Sequence, residues 1–166
     1  MPPKKKMPPW DPKEKEKSLV LYASWLNQIA RAAFLESGHH QQMFHFVTDA
    51  GDILSCLIRD GLPLKKRDAL LRQEAAKIKP FGTIQVVMKK IYRPKAQDVR
   101  LAGDDDSDTR EMVRDCLLVR MLSRTGKEIM WVNPIVRKDG RLVLADPVVT
   151  YPNDDSTVRK SRQSTV

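Results

Sequence analysis

The side chains of this chain whose type and spacing could do chemistry are cations. Residues 59–100 carry 12 Lys and Arg against 4 Asp and Glu, so this window holds a net +8 of the chain's total of +9. Like charges held so close repel one another, and such a concentration points to an anionic partner. Lys65, Arg72 and Lys79 recur every seven residues, which on a helix sets a cation roughly every 10 Å along the axis. Small residues, Ala69 and Ala76, lie between them, and Lys66 and Lys77 flank the stripe. Past Pro80, Lys89, Lys90, Arg93 and Lys95 carry the basic run onto a strand. Cations spaced this way can neutralise several phosphates, and the counterions they release drive association. The plainer reading is a solvated helix face, against which the excess of 12 to 4 weighs. Phe81 and Tyr92, among these cations, could stack on bases or belong to the core. Lys4, Lys5 and Lys6, set between proline pairs, form an auxiliary basic arm: a nuclear address, a tether to an anionic surface, or a solubilising tail.

The remaining clusters offer less. His39, His40 and His45 precede Cys56, but adjacent histidines do not readily face one ion, and no second ligand pair at zinc spacing follows. A polar loop between helices accounts for them, and no metal is expected. Asp104, Asp105, Asp106 and Asp108 lack the sixth-position glycine and twelfth-position glutamate of a calcium loop. They read as a solvated loop able to fold against the basic face as an internal competitor, the more so if Ser107 were phosphorylated. There is no Gly-x-Ser-x-Gly elbow and no glycine-rich phosphate loop, and a Cys–His pair would need Cys56 or Cys116 exposed and activated. Neither an enzyme nor a cofactor is expected. Ser164, Thr165 and Val166 fit the short form of a carboxyl-terminal ligand captured at a sheet edge, a match brief enough to arise by chance.

The elements that must position the cations follow from periodicity. Residues 1–17, with five prolines and six lysines, read as a disordered Lys/Pro-rich arm. Ser18 suits the N-cap of a helix from Leu19 to about Ser37, stopped by Gly38, with Tyr22, Leu26, Ile29 and Ala33 on its buried face. Met43, Phe46, Val47, Ala50, Ile53, Leu54, Leu57 and Ile58 fall at helical spacing. They predict a second helix, or two short ones broken between Asp49 and Asp52, ended by Gly61 and Pro63. A third helix should run from Leu64 to Lys79, with Leu64, Leu71, Ala75 and Ile78 on one side. Thereafter the period is two. Strands are expected from Ile84 through the basic run, over Cys116–Leu122, over Glu128–Val136 and over Arg141–Tyr151. The last is interrupted by Asp146 and Pro147 and so lies at an edge. Asp139 and Gly140 mark a tight hairpin turn, and residues 96–111 an acidic loop. The fold class is therefore α+β: about three N-terminal helices packed on a C-terminal antiparallel β-meander. A flexible basic N-terminal arm precedes it, residues 18–152 form a single domain, and a polar tail covers 153–166.

The chain has 166 residues, 41% of them hydrophobic, enough for one core. Two distant cysteines in apolar runs read as buried free thiols, which suggests a reducing compartment. No apolar run reaches the roughly 20 residues that span a bilayer, and the start lacks the apolar centre of a secretory signal. Pro2 rules out N-myristoylation, and there is no prenylation box. The expected location is intracellular, cytoplasmic or nuclear.

These features predict a non-enzymatic protein that binds an anionic polymer, RNA first among them, through phosphates. No RNP aromatic motif, KH loop, zinc finger or basic-zipper heptad supplies sequence readout. One alternative is a matrix-like assembly protein, possible in a virus, that meets anionic membrane or nucleoprotein and self-associates through its meander edges and the Trp131 region. Another is an adaptor for an acidic protein partner.

Overall fold

Helix formation begins before Ser18. Lys13 to Lys17 are uniformly good helix formers, and nothing among them stops the first turn. In the computed structural model, which describes residues 6–59, 61–94 and 110–152, helix α1 accordingly spans Lys15–Ser37. Ser18 lies inside it, where its Oγ accepts from the backbone N–H of Asp11 (3.0 Å). Gly38, in the left-handed region (φ 73°), ends the helix as expected. The buried face is Leu19, Tyr22, Ala23, Leu26, Ala30 and Phe34, whereas Ile29, expected among them, is 41% exposed beside the solvent-facing Leu21 and Leu35.

The segment read as a second helix is a hairpin of β1 (Met43–Val47) and β2 (Ile53–Leu57). Phe44, Phe46, Val47 and Ile53 prefer a pleated surface, and Gly51, at φ +85°, makes the turn. Thr48 closes that turn: its N–H donates to the Asp52 carbonyl (2.9 Å) and its Oγ1 accepts from the Asp52 N–H (3.0 Å). Helix α2 (Leu64–Ile78) follows, as expected.

The rest is strand: β3 (Gly82–Pro94), β4 (Arg110–Ser123), β5 (Glu128–Lys138), β6 (Arg141–Leu144) and β7 (Val148–Thr150). All pairings are antiparallel, in the order β2-β1-β3-β4-β5-β6, with β7 also on β5. β6 and β7 lie end to end along the same side of β5, a single edge strand broken at Ala145, Asp146 and Pro147. That is where a proline without an N–H is tolerated. The fold is thus α+β, but with two helices rather than about three among the described residues. A β-hairpin separates them, so the helices do not simply precede a meander.

The core lies between α1 and one face of the sheet, where Ile84, Val86, Leu117, Val119, Met121 and Ile129 are at most 2% exposed. Trp131, 7% exposed, belongs to this core. Helix and strand meet closely over Gly82, where a Cβ would fall 2.3 Å from Leu19 Cδ2. One polar network crosses the core. Asn133 Nδ2 donates to Asn27 Oδ1 (2.7 Å) and to the Leu117 carbonyl (2.9 Å). Arg31 donates to Asn133 Oδ1 (2.7 Å) and to the Ala145 carbonyl at the strand break (2.9 Å). Every member has a partner, so the network fixes where α1 sits on β4 and β5.

Part of the expected disordered arm is folded. The Trp10 indole N–H donates to the Asp49 carbonyl (3.1 Å), and its ring packs 5.2 Å from Tyr22 and 6.1 Å from Phe81. A Cβ on Gly51 would strike Trp10 Cγ at 2.3 Å, so glycine is required there both for the turn and for the indole. The physical reason is that Trp10 is the one large aromatic in a Lys/Pro run, and it gains more by burial than the arm loses by ordering.

Candidate anion-binding surface

β2 and β3 run parallel with β1 between them, which makes α2 a crossover helix. A crossover of the usual right-handed sense would place it over the sheet face that carries Phe44 and Phe46, away from α1. Phe46, 1% exposed on that face, needs such a cover. Yet α2 buries no residue fully. Its half-buried flank is Arg67, Asp68, Leu71, Glu74, Ala75 and Ile78, while Leu64, expected on that side, is 60% exposed.

The predicted stripe lies beside that flank, on the exposed part of the helix. Lys65, Lys66, Arg72, Lys77 and Lys79 are all exposed. Lys77 pairs with Glu74 (3.5 Å), and the half-buried Arg67 lies 3.5 Å from Asp68. Lys65, Lys66, Arg72 and Lys79 make no ion pair with any described residue. Lys79 takes the left-handed conformation (φ 50°) and its N–H bonds to the Ala75 carbonyl, ending the helix at the head of β3. Lys89 is exposed on β3, on the face shared with Gln85 and Phe44. Lys90 and Arg93 occupy strand positions in register with Asp115 and Glu111. Lys95, the acidic residues 104–108 with Ser107, Lys4, Lys5 and residues 164–166 lie outside the described residues. Lys6 is described and exposed.

A second group of charges, with no periodic signal to reveal it, surrounds Asp49. Lys15 Nζ (2.9 Å) and Arg124 (2.5 Å) both reach its carboxylate. Hydrogen bonds from Lys15 and then Arg124 hold its pKa below the usual carboxylate range. Both cations also lie over the Phe81 ring, at 5.9 and 5.6 Å. Phe81 is 6% exposed, so it is a core residue and not a stacking platform for bases. Lys15 and Arg124 already have an anion, unlike Lys65, Lys66, Arg72 and Lys79 of α2 among the described residues.

The histidines are dispersed. His45 is no loop residue: it is buried on β1, with Nδ1 2.8 Å from Ser55 Oγ, and burial, then the charge of His40, lowers its pKa to about 4. His40 Nδ1 lies against the Gln41 carbonyl (2.6 Å). Among the described residues no three His, Cys, Asp or Glu side chains gather to hold a metal ion. Cys116 is buried and Cys56 half-buried. No helix among the described residues is long and apolar enough to cross a membrane. The chain matches no protein-family model, no curated protein and no solved structure.

Proposed function

We propose that this is a non-enzymatic protein that binds an anionic polymer, RNA in the first instance, along the outer flank of α2. The observation that carries the reading is an amphipathic helix without a buried residue, whose solvent flank holds Lys65, Lys66, Arg72 and Lys79 unpaired among the described residues. Four exposed ammonium or guanidinium groups along about 20 Å of helix suit a phosphate backbone and carry no means of reading bases. Lys89, on the strand that follows, extends the same positive field, and Lys77 joins it by exchanging Glu74 for phosphate.

Binding of labelled single-stranded RNA, duplex DNA and anionic liposomes across a salt series tests the reading. Four phosphate contacts on a single strand predict that log K falls against log salt with a slope of about −3. The triple variant Lys65/Arg72/Lys79→Glu should abolish RNA binding and leave the thermal midpoint unchanged. Liposome binding alone, or RNA binding indifferent to the variant, would overturn the assignment.

A further inference from the structure

Among the described residues, the sheet ends at β2 in an edge with none of the usual protection. Ile53, Leu54, Ser55, Cys56 and Leu57 carry no charge and no proline, and Leu54 and Leu57 are 46% and 54% exposed. The ladder to β1 uses the even-numbered residues: Thr48 N–H donates to the Asp52 carbonyl, and Ile58 N–H to the Gln42 carbonyl. Hydrogen-bonded pairs alternate along an antiparallel ladder, so Ile53, Ser55 and Leu57 turn their N–H and C=O groups outward. Natural edges are blunted with lysine, proline or bulges because open ones recruit strands.

We infer that β2 pairs with β2 of a second copy, antiparallel, about a twofold axis through Ser55. The edge is self-complementary in this register. Ser55 meets Ser55 of the second copy, Ile53 meets Leu57, and Leu54 meets Cys56, so apolar side chains oppose apolar side chains on both faces. The pairing forms about six backbone hydrogen bonds. At each end it brings the exposed Arg59 of one copy to the Gly51–Asp52 corner of the other, opposite charges together, and a twofold interface repeats that contact. The axis stands perpendicular to the sheet, so each face of one copy continues into the same face of the other. A heterologous strand would gain the backbone bonds but not the symmetric match of side chains and charges. The pairing does not depend on what α2 binds.

Sedimentation equilibrium over a range of concentrations tests the inference. The native chain should show a monomer–dimer equilibrium, and Leu57→Lys should weaken it at least tenfold while circular dichroism, and the thermal midpoint at concentrations where both chains are monomeric, stay unchanged. Register is read separately: Ser55→Cys in a Cys56→Ser background should give a disulfide-linked dimer under mild oxidation, since directly opposed residues lie about 5.5 Å apart. A strict monomer at every concentration overturns the proposal and leaves the edge to another chain. A dimer that ignores Leu57→Lys, or does not cross-link at position 55, also overturns it by placing the interface elsewhere.

Discussion

His45 is a residue whose chemistry is set by its place rather than its type. As an exposed loop histidine it would titrate near 6.5; on β1, buried and bonded to Ser55, it titrates at about 4. Between these values the unfolded chain binds a proton that the native protein refuses. Stability from this site is therefore intact above about pH 6.5 and falls as the pH drops toward 4, by about 3 kcal/mol at full protonation. Urea unfolding of the native chain and His45→Gln at pH 7 and pH 4.5 should show a steeper loss in the native chain. Equal slopes would mean that the imidazole is not desolvated. Asp49, whose pKa is lowered, acts in a different window: its contribution holds above the ordinary carboxylate range and is lost below it.

At the scale of elements, what could be read from the sequence depended on which periodicity was unique. α2 was legible because its residues alternate between a half-buried and a charged flank with a period no strand reproduces. The strands after Pro80 were legible because apolar residues alternate between tight turn signals. The β1–β2 hairpin was not. Met43, Val47, Ile53 and Leu57 share one face of the hairpin, and Phe46 and Leu54 share the other, yet the same positions also fall at helical spacing. The aromatic and β-branched content was the signal that should have decided it. Trp10 was invisible for the opposite reason, since one aromatic in a Lys/Pro run has no period. Its contribution is measurable. Trp10→Ala removes the packing on Tyr22 and Phe81 and the bond to the Asp49 carbonyl, and should cost about 2–3 kcal/mol, less than a fully buried tryptophan. A thermal or urea midpoint reads this, and an unchanged midpoint would return residues 10–14 to a loose arm. As for the candidate surface, the seven-residue spacing gave the cations and their shared flank. That Lys65, Lys66, Arg72 and Lys79 pair with no described residue, and that Asp49 engages Lys15 and Arg124, depends on contacts between distant parts of the chain.

Across the whole molecule, burial is distributed unevenly, and the uneven part is the one that carries the charge. α1 and the central strands share a core of fully buried side chains and a satisfied polar network through Asn133. α2 contributes nothing fully buried, and its exposed stripe adds mutual repulsion of Lys65, Arg72 and Lys79. Regions with few buried apolar contacts open locally at lower free energy than the core. Native-state hydrogen exchange should therefore rank amides of β3, β4 and the buried turns of α1 as most protected. Those of α2 should exchange through a smaller, local opening. A polyanion that occupies the stripe relieves the repulsion and binds only the formed helix, so saturating RNA should slow exchange in α2 selectively and leave the core strands unchanged. Protection of α2 equal to that of α1 in the free protein would show that the helix is anchored more firmly than its burial provides. Slowing spread evenly over the sheet would place the bound polymer elsewhere than on α2.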